Sequence, residues 1–133
     1  MDSINLEIPS LPDNVRIVES FIDNSKDKYH LNDDVYGNIM IAVTEAVNNA
    51  IQHGNNGDKD KLVKLTMSHS DEQIRFTIGD EGPGFDYDSL PDPTAPENLH
   101  KPCGRGIFLM KHLCDEVEFN NDGKEVVLAF YLN

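Results

Sequence analysis

The chain is short of positive charge and of cysteine, and it contains no tryptophan. Eleven lysines and arginines face 24 aspartates and glutamates, with two cysteines, in 133 residues. The resulting net charge of -13 opposes direct binding to nucleic acid or to an anionic membrane, whose phosphates such a field repels. Cys103 and Cys114 are too few and too irregularly placed for a disulfide framework or a zinc site. They read as reduced thiols, which points to the cytoplasm. No apolar run approaches the ~20 residues of a membrane span. Residues 1–5 carry no basic region ahead of an apolar stretch, so no signal peptide is visible. A hydrophobic fraction of 38% and a mean hydropathy of -0.47 fit one soluble domain, residues 1–133, with a single core.

The most informative stretch is Thr44 to Gly54, the second half of an amphipathic helix. Ile39, Met40, Val43, Val47, Ala50 and Ile51 follow the helical repeat and share one face. Glu45, Asn49 and His53, spaced i, i+4, i+8, line up on the opposite side. Asn48 and Asn49 are poor helix formers, because their amides compete for backbone hydrogen bonds. A carboxylate followed one turn later by an amide suits a hard cation, a water or a hydroxyl nucleophile. On its own the pattern also fits a polar surface stripe.

Around it the chain alternates short elements. Residues 3–8 read as a half-buried strand, punctuated by Pro9 and Pro12. Asp13 or Asn14 is expected to cap a first helix carrying Val15, Val18 and Ile22, with Arg16 in its first turn. Asn32, Asp33 and Asp34 mark the entry of the long helix, which the pattern carries to about His53, with Gly54 as a left-handed cap. Residues 62–67 and 73–78 read as strands joined by a polar turn, and the second delivers Asp80 at its exit. Residues 86–103 hold four of the seven prolines and little apolar content, as a functional or mobile loop would. A helix opens at Gly104 and Gly106, followed by a strand over 115–121, a hairpin signal at Asn121 to Lys124, and a last strand over 125–132. Cys114 is expected in a core-facing helix turn. The whole predicts an α+β two-layer sandwich: a mainly antiparallel sheet with helices on one face.

Three segments together resemble the GHKL ATPases (gyrase, Hsp90, histidine kinase and MutL type). Glu45, Asn49, Ala50 and His53 match the family's E-x-x-x-N-A-x-x-H box. Asp80, Gly82 and Gly84 match its D-x-G-x-G box, and Gly104 and Gly106 its second glycine box. The order agrees, and the resemblance covers nearly the whole chain. Small size is most similar to the anti-sigma-factor serine kinases of the RsbW/SpoIIAB type.

The resemblance implies an ATP-binding fold with residues 86–103 as the ATP lid. It implies Asn49 as the protein ligand of Mg²⁺, with phosphate oxygens and water completing an octahedron. Glu45 becomes the catalytic carboxylate facing the γ-phosphate. Asp80, with Gly82 and Gly84 leaving room for the ring, reads the adenine amine, a contact that favours ATP over GTP. Gly104 and Gly106 become phosphate contacts at a helix start, where free N–H groups attract anions; Arg105 between them reads as either an exposed residue or a further phosphate contact. Arg16 corresponds to an arginine that approaches the γ-phosphate or a partner subunit. Many relatives carry a Gly-Thr pair before the last strand, where Gly123-Lys124 stands here, so one adenine-side hydroxyl is missing.

By the same resemblance the chain is expected to be a serine-protein kinase and anti-sigma factor. It would phosphorylate a small antagonist (anti-anti-sigma) protein, bind a sigma factor and form a homodimer. The alternative is an ATP-gated binding module that sequesters a partner without kinase chemistry. Because its own field repels ATP, the chain must hold the nucleotide through local groups and a cation.

Overall fold

In a computed structural model the chain is described over residues 2–82 and 105–132. The expected lid over 86–103, together with Gly84, Cys103 and Gly104, lies outside the described residues.

Five strands, β1 (Asp2–Pro9), β2 (Leu62–His69), β3 (Gln73–Gly79), β4 (Glu116–Asn120) and β5 (Glu125–Tyr131), form one sheet in the order β1-β2-β3-β5-β4. Each pairing is antiparallel. Registry carries the period-2 pattern straight across the sheet. Leu6 pairs with Leu65, Leu65 with Ile78, Ile78 with Val126 and Val126 with Phe119. A second row runs Ile4, Met67, Phe76, Leu128 and Val117. A slip of one residue would turn every one of these side chains to the other face, so burial locks the pairing. Phe76 and Phe130 meet edge-on, with ring centroids 6.2 Å apart.

Helices α1 (Val15–Tyr29), α2 (Asp33–Asn49) and α3 (Arg105–Leu113) cover that apolar face. α2 packs against both of the others and against β3 and β5, which makes it the central element of the helical layer. Its buried stripe is Ile39, Ala42, Val43, Ala46 and Val47, continued by Ala50 and Ile51. The expected α+β sandwich is therefore the observed architecture.

Helix ends differ from expectation in two places and agree in one. α2 starts as expected, with the Asn32 side chain accepting from the Val35 N–H at 2.8 Å. At α1, however, Pro12–Asn14 form a 3-10 turn and Asn14 is itself helical, φ -73 and ψ -10. A capping side chain needs an extended backbone at its own position. Asn14 instead donates its amide back to the Pro9 carbonyl at 2.8 Å.

The long helix is regular only to Asn49. Ala50–Gly54 continue it as a π-helical turn, closed by the Asn55 N–H on the Ala50 carbonyl at 2.8 Å. Gly54 is not the left-handed cap. The positive φ values in this turn belong to Asn56 (53°) and Gly57 (68°). A π turn widens the helix by one residue and displaces the chain beyond it, so the left-handed reversal falls further along.

Candidate active site

α2 delivers Glu45 and Asn49 to one side, each half-buried, while His53 is exposed. Neither the Glu45 carboxylate nor the Asn49 amide hydrogen-bonds another described residue. Thr44 is already committed, its hydroxyl donating to the Met40 carbonyl at 2.6 Å. Ala46, between the two candidates in sequence, is buried and turns the other way.

Asp80 leaves β3 at the sheet's end, its N–H donating to the Lys124 carbonyl at 2.9 Å. One carboxylate oxygen accepts the Gly82 N–H at 2.8 Å. The carboxyl group lies directly against Gly54, where an added Cβ would overlap it. Gly54 is thus a glycine for close approach rather than for a turn. Gly82 behaves likewise: a Cβ there would run into the Gly54 carbonyl. The space opened by Gly82 is taken up by the end of the helix, so its first effect is to seat the Asp80 turn on the π turn. Partial burial pushes the Asp80 carboxyl above the ordinary aspartate range, and the Gly82 N–H and the Lys124 charge pull it part of the way back.

The helix therefore sets out the candidates in succession along its length. Asn49 lies one turn, about 6 Å, beyond Glu45, and Gly54, with the Asp80 carboxyl against it, ends the π turn that follows. Among the described residues no group of three or more His, Cys, Asp or Glu is arranged to hold a metal ion.

The structure does not bring every expected residue together with Glu45, Asn49 and Asp80. Arg16 is exposed in the first turn of α1 and makes no ion pair with a described residue. Arg105 and Gly106 open α3, so that helix begins inside the second glycine box. An open cleft of about 480 Å³ lies on Lys64, Gly79, Asp80, Glu81, Lys124 and Glu125. Lys64 and Gly79 alternate with the buried Leu65 and Ile78, so the cleft opens on the sheet face away from the helices. Asp80 is the one candidate residue that lines it; Glu45 and Asn49 do not.

One residue here escapes sequence reasoning. Asn55 is fully buried, at 0% exposure. In a run reading Gly54-Asn55-Asn56-Gly57 it looks like an ordinary turn residue, and nothing local marks it out.

The model of the family described as "Histidine kinase-like ATPase domain" matches residues 8–130. The chain belongs to this family. Similar proteins include a serine-protein kinase RsbW of Bacillus subtilis, 29% identical over 99% of this chain and 87% of that one. Another, from Listeria monocytogenes, is 23% identical over 99% and 88%. A solved structure of the RsbU and RsbW domains of a Mycobacterium tuberculosis protein superposes with a TM-score of 0.68 at 14% identity. It covers 98% of this chain but only 32% of that longer one, and so it speaks to the fold alone.

The two glycines give a direct test of the seating. Gly82→Ala is expected to destabilise the fold by about 1–3 kcal/mol, because backbone rather than a flexible side chain must move. Urea denaturation measures this, and an unchanged midpoint would show that the 80–82 turn is not pressed on the helix.

Proposed function

We propose that this chain is an ATP-dependent serine-protein kinase acting as an anti-sigma factor in the cytoplasm, which transfers the γ-phosphoryl group of ATP to a serine of a small antagonist protein. The observation that carries this reading is the succession of the Glu45 carboxylate and the Asn49 amide along α2, followed by the Asp80 carboxyl seated against Gly54 at the end of the π turn. The family membership and the named kinases among its relatives support it.

Asp80 has one carboxylate oxygen held by the Gly82 N–H, and the other accepts a hydrogen bond from the adenine amine. Guanine presents an acceptor there, which a carboxylate repels. Gly82 keeps the surrounding backbone close, and Gly84 and Gly104 are proposed as further nucleotide-binding positions. Asn49 offers its side-chain oxygen to Mg²⁺, a fit supported by an amide with no other hydrogen-bond partner among the described residues. When bound, the ion neutralises charge on the phosphates. Arg105 and Gly106 place backbone donors and a cation at the start of α3, and Arg16 adds a second cation at the γ-phosphate or at a neighbouring subunit.

Glu45 accepts the proton of the attacking serine hydroxyl. As the serine oxygen bonds to the γ-phosphorus, the bond from that phosphorus to the bridging oxygen breaks, and ADP departs with the electron pair. Residues 86–103 are proposed as the lid that keeps water from competing. The sigma factor, the antagonist and a second copy of the chain are the proposed partners. The charge of -13 steers partners with basic surfaces toward it.

The test is transfer of radiolabelled phosphate from ATP to small antagonist proteins encoded nearby. Asn49→Ala is expected to lower the transfer rate by about two orders of magnitude or more. It should also remove the Mg²⁺ dependence of ATP binding. Nucleotide binding without transfer to any antagonist would favour the ATP-gated binding module, and undiminished transfer by Asn49→Ala would reject the ion assignment.

A further inference from the structure

Asn55 sits just past the π turn with its side-chain amide sealed from solvent. Every polar group on it is used. The Oδ1 atom accepts the Glu81 N–H at 2.7 Å. The Nδ2 group donates to the Ser10 hydroxyl at 2.8 Å and to the Leu62 carbonyl at 3.1 Å. Ser10 passes the link on, its hydroxyl and its N–H both reaching the Lys61 carbonyl, at 2.7 and 3.1 Å. Glu81 closes the circuit, its carboxylate accepting the Leu62 N–H. The Asn55 backbone meanwhile completes the π turn through the Ala50 carbonyl.

These bonds divide into two sets with different consequences. The Nδ2 set ties the end of the helix to the end of β1 and the start of β2, which is scaffold. Of the bonds Asn55 makes, only the Oδ1 bond reaches the turn that carries Asp80, gripping the peptide one residue beyond it, while the Glu81 carboxylate ties the same turn to the start of β2. Asp80 is held on its other flank by the Lys124 carbonyl and beneath by Gly54. Without the Asn55 oxygen, the Glu81 N–H loses its partner and the turn can lift from the helix.

We infer that Asn55 is a positioning residue for nucleobase recognition, holding the Asp80 turn at the distance from α2 that a base requires. The inference rests on the reading of Asp80 as the adenine-contacting residue. Asn55 touches no substrate; it acts through Asp80, on affinity and base preference rather than on phosphoryl transfer.

Calorimetry of the full chain with Mg·ATP and Mg·GTP tests it. Asn55→Ser shortens the side chain and releases the Glu81 N–H. It is expected to raise the ATP dissociation constant roughly 5- to 50-fold. The preference for ATP over GTP should narrow with it, while transfer at saturating ATP stays near the wild-type rate. Ser10→Ala is the control, since it cuts only the scaffold set: it is expected to lower the melting temperature and leave the ATP:GTP ratio unchanged. If Asn55→Ser also keeps the wild-type ratio, or if both variants shift it equally, the positioning role is overturned.

Should Asn55→Ser fail to fold, hydrogen exchange on the wild-type chain decides the matter. The Glu81 amide is expected to be protected although its residue is exposed, and rapid exchange there would overturn the inference. Wild-type chain that binds neither nucleotide would overturn the reading of Asp80 as well, an outcome distinct from nucleotide binding that ignores Asn55.

Discussion

Glu45→Gln is expected to slow phosphoryl transfer by about 10²- to 10⁴-fold, the range for loss of a positioned general base. The change preserves the shape and hydrogen-bonding reach of the side chain but removes its ability to take up a proton. That loss corresponds to roughly 3–5.5 kcal/mol of barrier. Nucleotide affinity should stay within a few-fold of wild type, because the proposed base contacts the incoming hydroxyl and not the ATP ground state. Stability should also be close to wild type, since Glu45 makes no hydrogen bond or ion pair with a described residue and is only half-buried. Single-turnover transfer from labelled ATP separates these effects. An unaltered rate with glutamine would remove Glu45 from the chemistry, and a matching loss of ATP binding would recast it as part of the nucleotide site.

Asp80→Asn is expected to weaken ATP binding by about 10- to 100-fold, the loss of a hydrogen bond to a charged acceptor. The same substitution should leave the fold as stable or more stable at neutral pH. The physical cause is burial, which raises the carboxyl above its ordinary range and so disfavours the ion. A carboxyl raised in the folded chain binds its proton more tightly there than when unfolded. Its ionisation therefore costs stability above the folded value, and that cost fades as pH falls toward the ordinary aspartate value. Asparagine keeps an oxygen for the Gly82 N–H without carrying the charge.

Binding has the opposite pH trend. ATP affinity of the wild-type chain should fall as acidification protonates Asp80, beginning at a higher pH than an ordinary aspartate would set. Asp80→Asn should lack that component. Calorimetry across pH with thermal melts on the same samples checks both halves. A variant that melts lower and binds ATP as well as wild type would contradict the assignment of Asp80 and the account of its burial together.

Some parts of this chain are legible from neighbouring residues and others are not. Strands β2 and β3 are legible because alternating burial is a property of adjacent positions, seen in Val63, Leu65 and Met67 against Lys64 and Thr66. The start of α2 is legible because Asn32 caps within its own turn. Asn14 fails as a cap for the converse reason: the 3-10 turn from Pro12 puts it in a helical conformation, and its amide has a closer use at Pro9. Cys114, expected on a core-facing helix turn, lies just beyond α3, packs against the core and is partly buried. Burial beside Asp115 pushes its thiol up to about 12, which keeps it protonated and unreactive.

The amino-acid order by itself determined the α+β class, the long central helix, and the identity and spacing of Glu45, Asn49, Asp80 and the glycines that mark the family. Each of these is written in residues a few positions apart, where helical and strand periods act. Only the folded chain decided that Gly54 and Gly82 press backbone on backbone, that the helix ends in a π turn, and that Asn55 joins the helix end to the Asp80 turn. The hydrogen bonds of Asn55 link residues 26 and 45 positions apart, and no local period records which distant groups will be left needing a partner once the core has closed.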